Sequence, residues 1–439
     1  MKILFVNTKD TSGGAARAAV RIMQGIEQHG VQTQLFVKDK CSSDNNTIAL
    51  KQFIPSNKVY HILDWLAAKV KNKWQHLQWR PYRKTKENMF LSDMRSTRLH
   101  GALQKMDYDI LHLHWVNQRF LDLRELKKIN KPIVWTLHDS WPFCGVCHYF
   151  LDCTRYQSHC GDCPMLHSNK EKDLAYYVVE KKMRVYRGLN MHIVTPSHWL
   201  GECAKKSALF GQFPVTVIPN CLDTDMYRPL SADELKQYLA FAIVQHPLLR
   251  AAECAVREKA AKPIILYGAM NAATDRIKGF ISLLCALQWL DNQGFEANLL
   301  VFGASESDLP MEFKHISVHF VGYVLDTNFL VSLYNLADVM VVPSLTENLS
   351  CTIMESLSCG TPVCCFDIGG NSDMVEHQVN GYLAKEKDSE DLALGIRWCI
   401  THNKDKLLSY KARKKVIENY KIDKIGMQYA ELYYKIKSR

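Results

Sequence analysis

Short aliphatic runs alternate along this chain with stretches of helical spacing, and that alternation narrows the fold to parallel sheets covered by helices on both faces. Residues 3–6 (Ile-Leu-Phe-Val) read as a first buried strand. The polar, glycine-bearing segment 8–15 reads as a loop, and residues 16–28 have helical spacing that Gly30 stops. Further strands are predicted at 34–37, 109–114, 133–137, 192–195 and 215–218. Pro219-Asn220 breaks the pattern, and the polar stretch with Pro229 and Ser231 marks a crossing to a second unit. Strands resume at 264–267, 298–302, 318–321, 339–342 and 362–366. From Lys411 onward a charged helix offers Tyr429, Leu432 and Tyr433 for docking. The expected class is α/β, two doubly wound Rossmann-like domains. An N-terminal domain over 1–218 carries a Cys-rich insertion near 144–163, a second domain covers 219–410, and a helix over 411–439 packs back toward the first.

A length of 439 residues is too great for one ordinary core and agrees with two domains. Hydrophobic residues make up 47% and charged ones 23%, so each domain can bury a core without disulfides. The run at 3–6 is too short for a signal-peptide core, and no apolar stretch is long enough to span a bilayer; cytoplasmic folding is expected. A formal charge of +10 asks for an anionic partner. No nucleic-acid module accompanies it, so nucleic acid is not the expected one. Much of the excess falls at Lys58, Lys69, Lys71, Lys73, Arg80, Arg83, Lys84 and Lys86, interleaved with Trp65, Trp74 and Trp79. This 58–86 stretch suits peripheral contact with an anionic membrane surface. A solvated helix face with its aromatics turned inward has the same composition.

The chemistry concentrates after the strand at 339–342. Glu347 follows its carboxyl end, residues 350–357 have helical character, and Cys359-Gly360 with Pro362 closes the helix. Glu355 then lies a turn or more into that helix, beside the crevice where open α/β sheets bind ligands. Free N–H groups at the helix start, around residues 349–351, can hold diphosphate oxygens without a dedicated metal. Two surface glutamates on an ordinary strand–loop–helix unit would show the same spacing.

In the first half, Gly13 and Gly14 precede a helix, where glycine admits a phosphate or sugar close to the backbone, or simply serves a tight turn. Arg17, one turn on, adds a cation near that helix start. His138 follows the strand at 133–137, with Asp139 as a candidate orienting partner. His112 and His114 alternate on one strand and share a face; no third ligand accompanies them, which favours lining of a cleft over a metal pair. Most of the fifteen cysteines scatter through apolar runs. Cys144, Cys147, Cys153, Cys160 and Cys163 cluster with His148 and His159, a composition that fits structural zinc without defining four ligands, and fits reduced thiols or a redox pair as well.

The string from Ser344 to Val363, SLTENLSCTIMESLSCGTPV, resembles the signature of glycosyltransferase family 4, in which two glutamates stand eight apart before Gly and Thr-Pro-Val. Similarity extends to Ile368-Gly369-Gly370-Asn371 with Asp373 and Glu376, to Asn380-Gly381-Tyr382-Leu383, and to Val217-Ile218-Pro219-Asn220 with Asp223. The resemblance implies the GT-B architecture, two Rossmann-like domains facing a central cleft, and retaining transfer of a sugar from a UDP- or GDP-sugar to a saccharide or lipid-linked saccharide at the cytoplasmic membrane face. No cofactor would be required for catalysis. Glu355 would hold the nucleotide ribose, Glu347 the donor sugar hydroxyls, and Lys278 the leaving diphosphate, with Asn348, Leu349 and Ser350 completing the donor site. His138 would act by hydrogen bonding near the reacting carbon. Gly13, Gly14 and Arg17 would face the cleft. The family usually has an arginine soon after the strand glycine, where this chain reads Gly268-Ala269-Met270; Arg276 is the candidate to replace it. The same resemblance implies Cys147, Cys153, Cys160 and Cys163 as the zinc set. A sugar-nucleotide epimerase and a non-catalytic binding scaffold are the competing functions.

Overall fold

The computed structural model describes residues 1–53, 66, 69–70, 73, 80–82, 99–118, 120–245, 262–269, 271–304 and 311–438. Two compact units result, one of Met1–Asn220 with Ile425–Arg439 and one of Cys221–Lys424. The crossing falls two residues beyond the expected 218. The return begins at Ile425 rather than Lys411, because the helix Leu407–Asn419 buries Leu408, Ala412 and Val416, the last two in the core of the second unit. Within the helix Ile422–Lys437, Tyr429, Leu432 and Tyr433 are buried as read, and Gly426 lies so close to Gly25 that an added Cβ would stand 2.2 Å from its backbone. The basic 58–86 stretch lies largely outside the described residues. Among the described residues no helix is long and apolar enough to cross a membrane.

The first unit holds a parallel sheet of β1 (Lys2–Lys9), β2 (Gln32–Asp39), β3 (Thr47–Ala49), β4 (Ile110–Leu113), β5 (Ile133–Thr136), β6 (Met191–Thr195) and β7 (Val215–Val217), in the order β3-β2-β1-β4-β5-β6-β7. β1 outruns its predicted end because Asn7, Thr8 and Lys9, though polar, keep their backbone in extended register; Lys9 still stands opposite Asp39. The second unit has β8 (Ile264–Gly268), β9 (Ala297–Phe302), β10 (Ile316–Gly322), β11 (Val339–Val342), β12 (Val363–Phe366) and β13 (Gly381–Ala384), all parallel, in the order β10-β9-β8-β11-β12-β13. Both central strands are buried throughout: β8 and β11 show no exposed position, as strands covered on two faces must.

Each order reverses once. In the first sheet the chain steps outward from β1 to β2 on one side and from β4 to β5 on the other. In the second it steps from β8 to β9 on one side and from β11 to β12 on the other. Crossovers diverge at these points and leave a crevice at the carboxyl ends of the strands, which is where ligands of such sheets bind. The loops after β8 and β11 bring together the residues of interest.

Candidate functional site

The loop after β8 is built to present one lysine. The Tyr267 hydroxyl donates to the carbonyls of Ala272 at 2.8 Å and Lys278 at 3.3 Å, and Asp275 accepts from the N–H of Ile277 at 3.0 Å, starting the turn Arg276–Lys278. Leu345 N–H then donates to the carbonyl of Ile277 at 2.8 Å, joining this loop to the one after β11. Gly279 makes the join close: its φ is +70, and a Cβ there would stand 1.8 Å from the Pro343 carbonyl oxygen. Lys278 Nζ consequently lies 3.1 Å from Glu347 Oε2, across the reversal point of the sheet. Arg276 is exposed on the same turn, with Ile277 buried between the two cations.

Glu347 is held from behind its backbone. Gly370 N–H donates to its carbonyl at 3.3 Å, and Gly369, at φ +55, passes so near that a Cβ would be 1.8 Å from that oxygen. Any side chain at Gly369 would displace the glutamate loop. Leu349 is buried and anchors the loop, Asn348 is half-buried, and Ser350 precedes the helix Cys351–Ser358. The Ser350 side chain makes no cap bond to that helix and shares a hydrogen bond with the Thr352 hydroxyl at 2.9 Å instead. The helix start therefore keeps backbone donors that the cap side chain does not take. Glu355, in the middle of the helix, is 1% exposed and accepts from the Tyr334 hydroxyl at 3.0 Å.

In the first unit Gly13, at φ +93, precedes the helix Gly14–Glu27, and no atom would lie within 4 Å of a Cβ at either glycine. The positive φ, not crowding, requires glycine at Gly13. Arg17 is exposed one turn on. His138, at the end of β5, places Nε2 2.9 Å from Nδ1 of His114. Asp139 does not take the orienting role: its carboxylate accepts from His148 Nδ1 at 2.6 Å, Trp115 Nε1 at 2.9 Å and Trp141 N at 3.0 Å. Burial alone would raise that carboxyl, and the charge and hydrogen bonds supplied chiefly by His148 turn the net effect downward. His112 does not line a cleft, because both its nitrogens are occupied inside the core, by Thr136 Oγ1 at 2.8 Å and by the Tyr433 hydroxyl at 2.6 Å.

The three imidazoles lie in a row in an apolar setting, His112 tilted against His114 at 4.3 Å and His114 stacked on His138 at 5.1 Å between centroids, with Phe5 against the first two. Burial pushes His138 from 6.5 down to about 4 and lowers His112 and His114 well below 6.5. At neutral pH His138 is thus an uncharged hydrogen-bonding group. Unfolding returns all three to ordinary proton affinity, so the stability they confer is complete above pH 6.5 and drains away as the pH falls toward 4. His138 alone accounts for at most about 3 kcal/mol of this. The urea unfolding midpoint is expected to fall steadily between pH 7 and 4.5; a flat midpoint would show the rings to be freely hydrated.

The cysteine segment differs from its expected form. Among the described residues no three of His, Cys, Asp or Glu are gathered to hold a metal ion. Cys147, Cys153, Cys160 and Cys163 do not converge as a ligand set. Cys144, Cys147, Cys160 and Cys163 are all buried and near enough for one thiol's charge to affect another, while Cys153 is only half-buried beside the core. His148 is committed to Asp139, and His159 to the Cys160 carbonyl and Glu180. The cation beside the thiols is Lys182, 0% exposed, whose ammonium donates to the carbonyls of Trp141, Cys144 (2.8 Å) and Gly145 (3.1 Å) and sits 3.9 Å over the Trp141 ring. Its sequence, Glu180-Lys181-Lys182, reads as a solvated helix face, and nothing in that pattern singles it out.

Two family profiles match most of this chain: "Glycosyltransferase Family 4" over residues 12–226 and "Glycosyl transferases group 1" over residues 261–402. The chain belongs to glycosyltransferase family 4. Among its relatives is a putative colanic acid biosynthesis glycosyl transferase of Escherichia coli, WcaC, 25% identical over 267 residues. That match covers 59% of this chain and 58% of the relative, so the chain spans less than two thirds of the protein it is compared with. A glycosyltransferase from Rickettsia africae has a similar fold, with a TM-score of 0.63 at 16% identity over 99% of this chain and 98% of that one. Anabaena HepE, solved in complex with UDP and glucose, gives 0.58 at 16% identity over 99% of both chains. At these identities the likeness is one of fold, and it is the GT-B fold. The crevice after β8 and β11 is the candidate ligand site of the second unit.

Proposed function

We propose that this enzyme transfers a sugar, with retention of configuration, from a nucleoside diphosphate-sugar to a saccharide or lipid-linked saccharide during polysaccharide synthesis. The observation that carries the reading is the Lys278–Glu347 pair at 3.1 Å, set over the reversal point of the second sheet beside a helix start whose cap side chain takes none of its backbone N–H groups. A carboxylate and a cation side by side suit a ligand that offers hydroxyls and a diphosphate next to each other. Lys278 and the N–H groups after Ser350 take the diphosphate, with Arg276 as the second cation, and Glu347 accepts from the sugar hydroxyls. Asn348 and Leu349 carry the backbone between them, and Glu355 takes the ribose diol.

In the transfer, the bond from the sugar's anomeric carbon to the diphosphate oxygen breaks and its electron pair leaves with the diphosphate. The acceptor hydroxyl oxygen bonds to that carbon from the same face, and its proton passes to the departing phosphate. Lys278 stabilises charge as it develops on the leaving group. Within the first unit His138 is a neutral hydrogen-bonding group, and Gly13, Gly14 and Arg17 are the residues suited to an acceptor. The basic, tryptophan-bearing 58–86 sequence supports an acceptor at an anionic membrane face.

A thermal-shift screen of UDP- and GDP-sugars is expected to raise the melting temperature with one nucleotide and not the other, since ligand bound only to the native state stabilises it by mass action. Glu347→Ala is expected to lower turnover of the stabilising donor about 100-fold or more while nucleoside diphosphate binding persists. Product formed with no acceptor present would favour epimerisation, and unaltered turnover in the variant would end the donor-site reading.

A further inference from the structure

Glutamate has a soft terminal torsion, so a carboxylate that must meet a diol in one orientation needs something to hold it. Glu355 has such a holder in Tyr334, on the helix Thr327–Leu336 that precedes β11. The Tyr334 hydroxyl lies 3.0 Å from Glu355 Oε2, and both residues are fully buried, at 0% and 1% exposure. A phenol has a single proton to donate, and the acceptor-only carboxylate receives it, so the direction of this bond is fixed. Burial also raises the Tyr334 hydroxyl well above its ordinary value, which keeps it a donor across the usable pH range.

Tyr334 is itself locked. Its carbonyl accepts from Thr361 Oγ1 at 2.6 Å, and Thr361 sits in the turn that ends the Glu355 helix, where its N–H donates to the Ser356 carbonyl at 3.0 Å and its own carbonyl accepts from Ser356 Oγ at 3.1 Å. The ring stands edge-on to Phe302, with centroids 6.2 Å apart. Phe302 fills the space in front of Gly268, where a Cβ would come within 2.3 Å of the ring. The absence of a side chain at the end of β8 thus lets Phe302 in, Phe302 backs Tyr334, and Tyr334 fixes Glu355.

We propose that Tyr334 is a positioning residue of the nucleotide site, orienting the Glu355 carboxylate toward the ribose diol, so that the enzyme's preference for ribose over 2′-deoxyribose nucleotides runs through a side chain that does not touch the ligand. The inference rests on the assignment of Glu355 to the ribose. It accounts for a buried tyrosine hydroxyl pointed at a carboxylate where phenylalanine would serve the core equally well.

The test compares UDP with 2′-deoxy-UDP, and GDP with 2′-deoxy-GDP, by calorimetry on the full chain, its Tyr334→Phe variant and its Glu355→Ala variant, each checked by melting temperature. The parent is expected to favour the ribose form of its nucleotide roughly tenfold or more, the scale of a charge-assisted hydrogen bond. Tyr334→Phe should shrink that preference to about twofold while leaving affinity for the deoxy form unchanged. A purely structural role would weaken both forms by the same factor, and that result overturns the proposal, as does a Tyr334→Phe protein that keeps the full preference while Glu355→Ala loses it. If Glu355→Ala itself retains the preference, the ribose assignment fails first and takes the proposal with it.

Discussion

Lys278→Ala is expected to lower the turnover number about 100- to 1000-fold at saturating donor, with the melting temperature nearly unchanged. The estimate is that of removing one preorganised charge from the point where negative charge develops in the transition state. Two features make the loss large. The ammonium lies 3.1 Å from Glu347, so its removal leaves a carboxylate, 14% exposed, beside an incoming diphosphate, and attraction becomes repulsion. The turn that carries Lys278 is fixed through backbone atoms, by the Tyr267 hydroxyl, by Asp275 and by the Leu345 N–H, so alanine inherits the loop geometry and the fold has no reason to fail. The lysine side chain is itself 24% exposed and contributes little to the core. Arg276 sets the residual rate: adding Arg276→Ala should deepen the loss if the second cation shares the diphosphate, and should leave it unchanged if it does not. Steady-state kinetics on the donor found by thermal shift decide both points, and a Lys278→Ala enzyme within threefold of its parent would remove the donor-site assignment.

How far this site was legible in the sequence depended on which interactions are local. β11 could be read to the residue because four aliphatic positions are bounded by Asp338 and Pro343. The helix after it was read within one residue, since Gly360 at φ +79 and Pro362 end it for steric reasons visible in one dimension. β3 was missed: Thr47–Ala49 follows a run of polar residues, has three positions, and is held by β2 rather than by its own pattern. β13 was missed because Gly381 begins it and Tyr382 and Leu383 are only half-buried, as happens at the edge of a sheet. Period two placed His112 and His114 on one face, but it could not say that Tyr433, 321 residues away, would cover that face. Lys278 and Glu347 are 69 residues apart, and only family resemblance paired them ahead of the fold. Tyr334 and Lys182 gave no signal, because an aromatic among Leu and Val reads as core and a lysine among charges reads as surface.

Lys182→Met should be the most destabilising of these substitutions, although methionine matches the length and the apolar stem of lysine. An ammonium has three protons to donate, and the Lys182 site has three backbone carbonyls to receive them, those of Trp141, Cys144 and Gly145. Burial pulls its proton affinity from 10.5 down to about 8, so at neutral pH the charge is still present and the three bonds are charge-assisted. Methionine donates nothing. Each buried carbonyl left without a partner costs about 1 to 3 kcal/mol, while the relief of no longer burying a charge offsets part of the sum. A net loss of roughly 3 kcal/mol, or about 6 to 12 °C in melting temperature, is the expected result. The damage should also be localised. The same turn places Asp139 against His148 and Trp115, and Ser140 against the His148 carbonyl, immediately after His138. Amide hydrogen exchange should therefore quicken at residues 139–148 before it does in β8 or β11. A variant whose melting temperature falls while that segment keeps its protection would show that the ammonium supports the helix Leu174–Tyr186 rather than the turn beside His138.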